Sequence, residues 1–273
     1  MSTDILLSSR RKRRKKILLK AGLVLAGIFL FLGGVVAFFY IPKFRINDIS
    51  IEGANILDAG QLKEEIGSLL RGKIFKIFPC DNIFILPKAK ITAELLRKFP
   101  VLKGVAVSRS FPQKISVFLE ERKPKALWCI GLNATSTNLS GVSCAFMDES
   151  GFIFQPAPFF SGAIFSVFYD ERREKIVAIG EEMIPESEFR NLNSFAELLN
   201  RNNMDVSKIV LKDDGEYEVY LKEGWHIKLN SKNEAALSFN NLQLVLNENI
   251  KEKRSTLEYV DLRFGNKVFF KYK

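Results

Sequence analysis

The sequence predicts an α+β protein: one membrane-spanning helix, a small module in the order strand, helix, helix, strand, strand, and then a mixed β-rich domain with two helices. Three observations lead there. Residues 21–41, AGLVLAGIFLFLGGVVAFFYI, carry no charge. Residues 44–121 pass from alternating to helical spacing and back, and beyond Pro124 short alternating runs predominate.

As a helix the apolar stretch would be about 31 Å long at ~1.5 Å per residue, close to the hydrocarbon thickness of a bilayer. The run RRKRRKK at 10–16 and Lys20 precede it, whereas Pro42, Lys43, Phe44 and Arg45 after it are only mildly basic. Short basic flanks are retained inside, so residues 1–20 are expected to be a cytoplasmic tail, 21–41 the span, and the rest extracytoplasmic. A signal-peptide core is about 7 to 15 residues and ends at small residues, while this run is longer and leaves through Phe38, Phe39 and Tyr40. A buried core helix would rarely be apolar on every face.

Lys plus Arg number 41 against 31 Asp plus Glu, but eight basic residues and one acid in the first 20 hold seven of the formal +10. The exported part is nearly balanced, which argues against a nucleic-acid footprint.

In the first module, Ile49 and Ile51 mark a strand that stops at Gly53. Asp58 is placed to cap a helix carrying Leu62, Ile66, Leu69 and Leu70, with Gln61 set to reach back. An irregular connection over 72–86 leads to Pro87, which suits the first turn of a helix bearing Ile91, Leu95 and Phe99. VAVSRS and KISVFLEE then read as strands joined through Phe111, Pro112 and Gln113, with Phe99, Val105, Val107, Ile115, Val117 and Leu119 as core. Charged residues around Pro124 separate 44–121 from 122–273.

In the second domain ALWCI and CAFMD form a candidate hairpin, followed by GFIF and, after Pro156, Pro158 and Gly162, FSVFY. Pro185 opens a helix with Phe189, Leu192, Phe195 and Leu199 on one side. SKIVL, YEVYL and HIKL are strands, and Ser231 with Glu234 has the spacing of a capping box for a helix bearing Ala235, Phe239, Leu242 and Leu246. After KEKR come EYVDLRF and KVFFKYK. Cys129 and Cys144 flank a polar loop; either they pair, stabilising the fold by up to ~3 kcal/mol, or two unpaired thiols sit on hairpin strands.

The last run is expected at a sheet edge. Val268, Phe269, Phe270 and Tyr272 are apolar, while Lys267, Lys271 and Lys273 resist uncontrolled pairing, a pattern that suits addition of a partner's strand. Phe269 and its alternate neighbours are expected to pack the core on one face.

Little in the chain points to chemistry. GSLLRGK at 67–73 has phosphate-loop spacing, but Ile74 stands where a Ser or Thr is needed and no strand precedes it. His226 is the one histidine, so neither a histidine metal cluster nor a supported catalytic triad can be assembled, and three dispersed cysteines make no zinc site. The adjacent pairs Glu120 with Glu121 and Glu181 with Glu182 read as solvated charges. Asn133 and Asn138 match a short glycosylation pattern that matters only in a secretory pathway that glycosylates. No enzyme activity, cofactor, metal or small-molecule substrate is expected.

The element order and the wording FRINDISIEGA, LLRKFPVLKGVAVSRSFPQKISVFLEERKPKALW and FMDESGFIF resemble the FtsQ/DivIB family of bacterial division proteins. The most specific pieces are 107–112, Glu120, Glu121, Arg122, Pro124, Ala126, Trp128, Asp148, Gly151 and 259–264. The resemblance implies a single span, a POTRA domain over 44–121 and a β domain over 122–273. It also implies a non-enzymatic scaffold of the inner (plasma) membrane at the division septum, which recruits partners of the FtsB/FtsL type and other divisome membrane proteins and links them to septal peptidoglycan synthesis. In the family the DLR-aromatic turn and last strands dock FtsB, which binds with FtsL. The matching candidate site here is Arg263, Phe264, Lys267, Val268, Phe269, Phe270 and Tyr272, with Phe264 where the family often carries Tyr. An alternative is a POTRA-bearing envelope protein of secretion or outer-membrane assembly, although such proteins usually carry repeats or a barrel.

Overall fold

The computed structural model describes residues 3–74, 76–130, 143–158, 165–172 and 179–273. The polar loop 131–142 with Asn133 and Asn138, Gly162, and the side chains of the basic residues 10–15 lie outside the described residues. The chain forms two compact units, residues 1–96 with 104–121, and residues 97–103 with 122–273.

The first unit begins with α1, Thr3–Phe39. Its part Leu18–Phe39 is apolar and has no buried residue, and at ~1.5 Å per residue it is about 33 Å long, enough to cross a bilayer. The helix stops just before the expected end because Pro42 pushes Ile41 out of the helical region (φ −62°, ψ 122°) and opens a short 3-10 turn, Pro42–Phe44.

After that turn come β1 (Asp48–Glu52) and α2 (Ala59–Leu70), where Asp58 Oδ2 accepts from Gln61 N at 2.7 Å. The connection over 72–86 is more ordered than expected, since β2 (Lys73–Ile74) and β3 (Phe78–Pro79) pair in it. Then follow α3 (Lys88–Lys98), β4 (Leu102–Ser110) and β5 (Lys114–Glu121), giving a sheet of order β1-β5-β4 with β1 and β5 parallel. Leu62, Ile66, Ile91, Leu95, Ile115 and Val117 are buried, as are Phe99 and Leu119. Val105 and Val107 are only half-buried, because β4 is an edge strand.

Two features hold the loop that leaves β1. Gly53 has φ +86°, and a Cβ there would lie 2.1 Å from the carbonyl oxygen of Leu119. Glu121 accepts the backbone N–H groups of Asn55, Ile56 and Leu57 at 3.0, 3.0 and 3.1 Å. Its carboxylate is therefore a structural acceptor rather than the solvated charge expected of it.

The second unit adds β6 (Ala126–Ile130), β7 (Ser143–Met147), β8 (Ile153–Pro156), β9 (Ser166–Asp170) and α4 (Glu186–Arg201). It continues with β10 (Val206–Leu211), β11 (Glu216–Leu221), β12 (His226–Asn230), α5 (Ala235–Val245), β13 (Leu257–Phe264) and β14 (Lys267–Tyr272). One sheet contains all nine strands in the order β14-β13-β12-β11-β10-β9-β6-β7-β8. The β6–β9, β9–β10 and β12–β13 pairs are parallel, and the connections β9–β10 and β12–β13 carry α4 and α5, as parallel joins require.

The core lies under these helices. Phe189, Leu192, Phe195 and Leu199 of α4 and Phe239, Leu242 and Leu246 from α5 onward are buried with Trp128, Phe168 and Trp225, whereas Ala235 is only partly covered. The rings of Trp128 and Phe168 stack at 6.4 Å and Phe168 meets Phe189 at 5.4 Å.

The α5 cap differs from expectation. Glu234 occupies the cap position with no side-chain hydrogen bond, and Asn191 of α4 accepts from Ala235 N at 2.8 Å instead. Asn233 is diverted to Asn230 N at 2.7 Å and to the Leu262 carbonyl at 3.1 Å, so the start of α5 is tied to tertiary partners rather than to a local box.

Asp148 closes the turn after β7. It accepts from Ser150 N at 2.8 Å, Ser150 Oγ at 2.7 Å and Phe152 N at 3.1 Å, and pairs with Arg122. The Arg122 guanidinium lies 3.9 Å from the Phe152 ring centre. Burial pushes the Asp148 carboxyl up, but these bonds outweigh it and hold it below its ordinary range. Cys129 and Cys144 face each other across β6 and β7, with Cα atoms 4.1 Å apart, and are joined by a disulfide; Cys80 is buried and free.

Two outcomes are expected. Gly53→Ala should lower stability by about 1–3 kcal/mol in urea unfolding of the detergent-solubilised chain, through backbone strain and the clash with Leu119. Reduction, or joint replacement of Cys129 and Cys144 by Ser, should cost about 2–3 kcal/mol by the same measurement.

Candidate functional site at the terminal sheet edge

Among the described residues β14 is an outermost strand of the nine, paired with β13 alone. Its residues alternate between the sheet's two faces. Val268 and Tyr272 pack against the core, and Phe270, opposite Val260, shares their side while staying 36% exposed. Phe269, opposite Asp261, points to the other face and is 53% exposed. The face expected to pack therefore belongs to Val268 and Tyr272 and not to Phe269.

The turn between β13 and β14 places Phe264, also exposed, edge-on to Phe269 with ring centres 5.4 Å apart. Gly265 makes this turn with φ +64° and open space around it. Lys267 is exposed beside it, and Lys271 pairs with Glu258 at 2.6 Å. The edge thus combines backbone groups without a strand neighbour, two touching aromatic rings and a lysine.

Arg263 plays a different part from its neighbours. It donates to Asp261 through Nε at 2.9 Å and Nη2 at 2.6 Å, and to Glu216 of β11 through Nη1 at 2.6 Å. Glu216 and Asn230 are opposite each other in the β11–β12 register, and Asn230 Nδ2 donates to the Arg263 carbonyl at 3.0 Å. The guanidinium links β13 to β11, and the intervening β12 is fastened to the Arg263 backbone through Asn230. Burial pushes the Asp261 carboxyl up, but the Arg263 bonds outweigh it and hold the group below its ordinary range.

The family models match two stretches: POTRA domain, FtsQ-type, over 44–122, and Cell division protein FtsQ/DivIB, C-terminal, over 140–263. Similar proteins are the cell division proteins FtsQ of Neisseria gonorrhoeae, 25% identical over 89% of this chain and 86% of its own length, and of Neisseria meningitidis serogroup B, 25% identical over 92% of both. A third, FtsQ of Hahella chejuensis, is 22% identical over 80% of this chain and 66% of its own. The chain belongs to the FtsQ/DivIB family.

As an FtsQ/DivIB division protein it has an α+β fold with an N-terminal apolar helix, a POTRA domain and a β-rich domain. The C-terminal family match stops at Arg263, so Phe264 and β14 lie beyond it.

The sheet also presents residues that sequence reasoning passed over. On the face bearing Phe269, His226 stacks on Tyr220 at 4.9 Å and approaches Tyr259 at 5.7 Å, and the ammonium of Lys228 lies 4.1 Å from the Tyr259 ring centre. Burial pushes the imidazole below its ordinary value, and Glu218 only partly offsets this. The alternation of YEVYL and HIKL carried this signal, but alternation alone does not show that three strands align their rings.

The stability supplied by Asp261 should be complete above the ordinary carboxylate pKa, ~3.9, and lost as pH falls through the lower folded-state value. Urea midpoints measured from neutral pH into that range should fall less steeply for Asp261→Asn than for the unsubstituted chain.

Proposed function

We propose that this division protein is an anchored, non-enzymatic scaffold whose terminal sheet edge receives an extended segment of a partner division protein of the FtsB/FtsL type. The single observation that carries the reading is β14, an outer strand with Phe264 and Phe269 exposed and in contact beside its open edge. Strand addition would satisfy backbone groups for affinity, and the two rings with Phe270 would supply selectivity. Arg263 positions the turn through Asp261 and Glu216. Tyr220, His226 and Tyr259 extend the receiving surface across the sheet, and His226 sits between rings rather than beside a nucleophile.

In this reading α1 anchors the protein with its basic end in the cytoplasm, and the two domains act outside the membrane at the septum. Recruitment of the partner there couples division-ring assembly to septal peptidoglycan synthesis.

Deleting β14 would be a poor test, because Val268 and Tyr272 belong to the core. The exposed rings can be changed alone. Phe269→Asp, and separately Phe264→Ala, should weaken binding of the partner's ectodomain at least 10-fold, with unchanged unfolding midpoints, in titrations against the full chain in detergent. Unchanged affinity in both variants would reject the site.

A further inference from the structure

The end of α1 does not leave the membrane as a free tether. Asn82, fully buried, donates to the Phe39 carbonyl at 2.9 Å and accepts from Phe84 N at 2.9 Å. Tyr40 donates its hydroxyl to the Ile77 carbonyl at 2.5 Å. Ile83 N donates to the Phe44 carbonyl at 2.9 Å, and Arg45 binds Asp81 through Nε at 2.8 Å. These bonds fasten the last turn of the apolar helix to the first module.

A run of rings continues from that turn across the module. Phe38 meets Phe44 at 5.5 Å and Phe84 at 5.7 Å, Phe44 meets Phe84 at 5.1 Å, and Phe84 meets Phe111 at 5.4 Å. Burial does not explain the far end, since Phe111 is 61% exposed, and Ile77 beside the helix end is 48% exposed. Lys43 and Lys76, both exposed, adjoin Phe44 and Ile77 in the chain.

We propose that this collar is a lipid-contacting surface: Phe38, Phe84, Phe111 and Ile77 seat in the boundary between headgroups and acyl chains of the membrane that α1 crosses, with Lys43 and Lys76 meeting lipid phosphates. Three physical points support a lipid occupant. The collar is continuous with the apolar span, so Phe111 lies only two ring contacts from a residue already at the membrane end of the helix. Aromatic rings favour the membrane interface, and cations gain from anionic headgroups. The hydrogen bonds of Asn82 and Tyr40 keep the collar at the helix end, so no extra ordering is needed to bring it to the surface. The consequence is a first module held at a defined attitude to the bilayer, resting on its ring-bearing base.

The proposal rests on α1 crossing the membrane, and the experiment separates the two. The full chain is reconstituted into vesicles of zwitterionic and anionic lipids, some brominated near the headgroup end of the acyl chains. Trp128 and Trp225 are buried and provide a constant background. Phe111→Trp, and Phe84→Trp as a second probe, should be quenched at least two-fold more than Phe118→Trp. Phe118 is 50% exposed but four residues farther along β5 from Lys114, about 13 Å. Flotation with the vesicles while both collar probes are quenched no more than Phe118→Trp would overturn the collar alone, the result expected if these rings serve a partner protein. Failure of the unsubstituted chain to float would overturn the span and the collar together.

Discussion

The described helices cover one face of the large sheet, and that constraint shapes most of what the second unit presents to its surroundings. In the larger unit α4 and α5 cover one side of a nine-stranded sheet around Trp128, Phe168 and Phe189. Because strand side chains alternate with a period of two, burying one face determines the direction of every residue on each strand. Val268 and Tyr272 go to the core, so Phe269 must go out. The same rule turns Tyr220, His226 and Tyr259 to the uncovered side, where strand register brings their rings together. An open sheet also has edges, and one of them, β14, carries the exposed rings that suit partner recognition.

Charged residues hold the places where helices cannot. Arg263 binds Asp261 and Glu216 across the sheet, Asp148 gathers Ser150, Phe152 and Arg122 around one turn, and Glu121 collects three successive backbone N–H groups. In each case the acceptors are carboxylates, Asp261 with Glu216, Asp148 and Glu121, and they satisfy donors where regular pairing stops and polar groups would otherwise lack partners. Several of these residues belong to the stretches that most specifically resemble the FtsQ/DivIB family. Their evident work is to fasten turns.

In the first unit, the junction between the apolar helix and the module that follows it relies on a buried asparagine and a tyrosine hydroxyl bonded to backbone carbonyls. Such bonds resist rotation about the joint better than ring contacts alone, because they are directional. Directional bonds therefore fasten the helix end to the module, and the rings that continue from Phe38 to Phe111 start at that joint.

Much was legible in the chain itself. The uncharged run 21–41, the alternation of Ile49 with Ile51 and of Ile115 with Val117, and the helical spacing of Phe189, Leu192, Phe195 and Leu199 name their elements through local pattern, which needs no knowledge of neighbours. The terminal strand's mixture of rings and lysines marked the candidate edge for the same reason. Non-local geometry decided the rest. Whether Phe269 or Val268 faces the core depends on register against β13. Whether Ser231 or Asn191 serves α5 depends on where α4 lies, and whether Glu121 is a free charge depends on the loop 53–57 folding back to it. Adjacent letters cannot carry that information, because a hydrogen bond between Glu121 and Asn55 is invisible until the strands between them have paired.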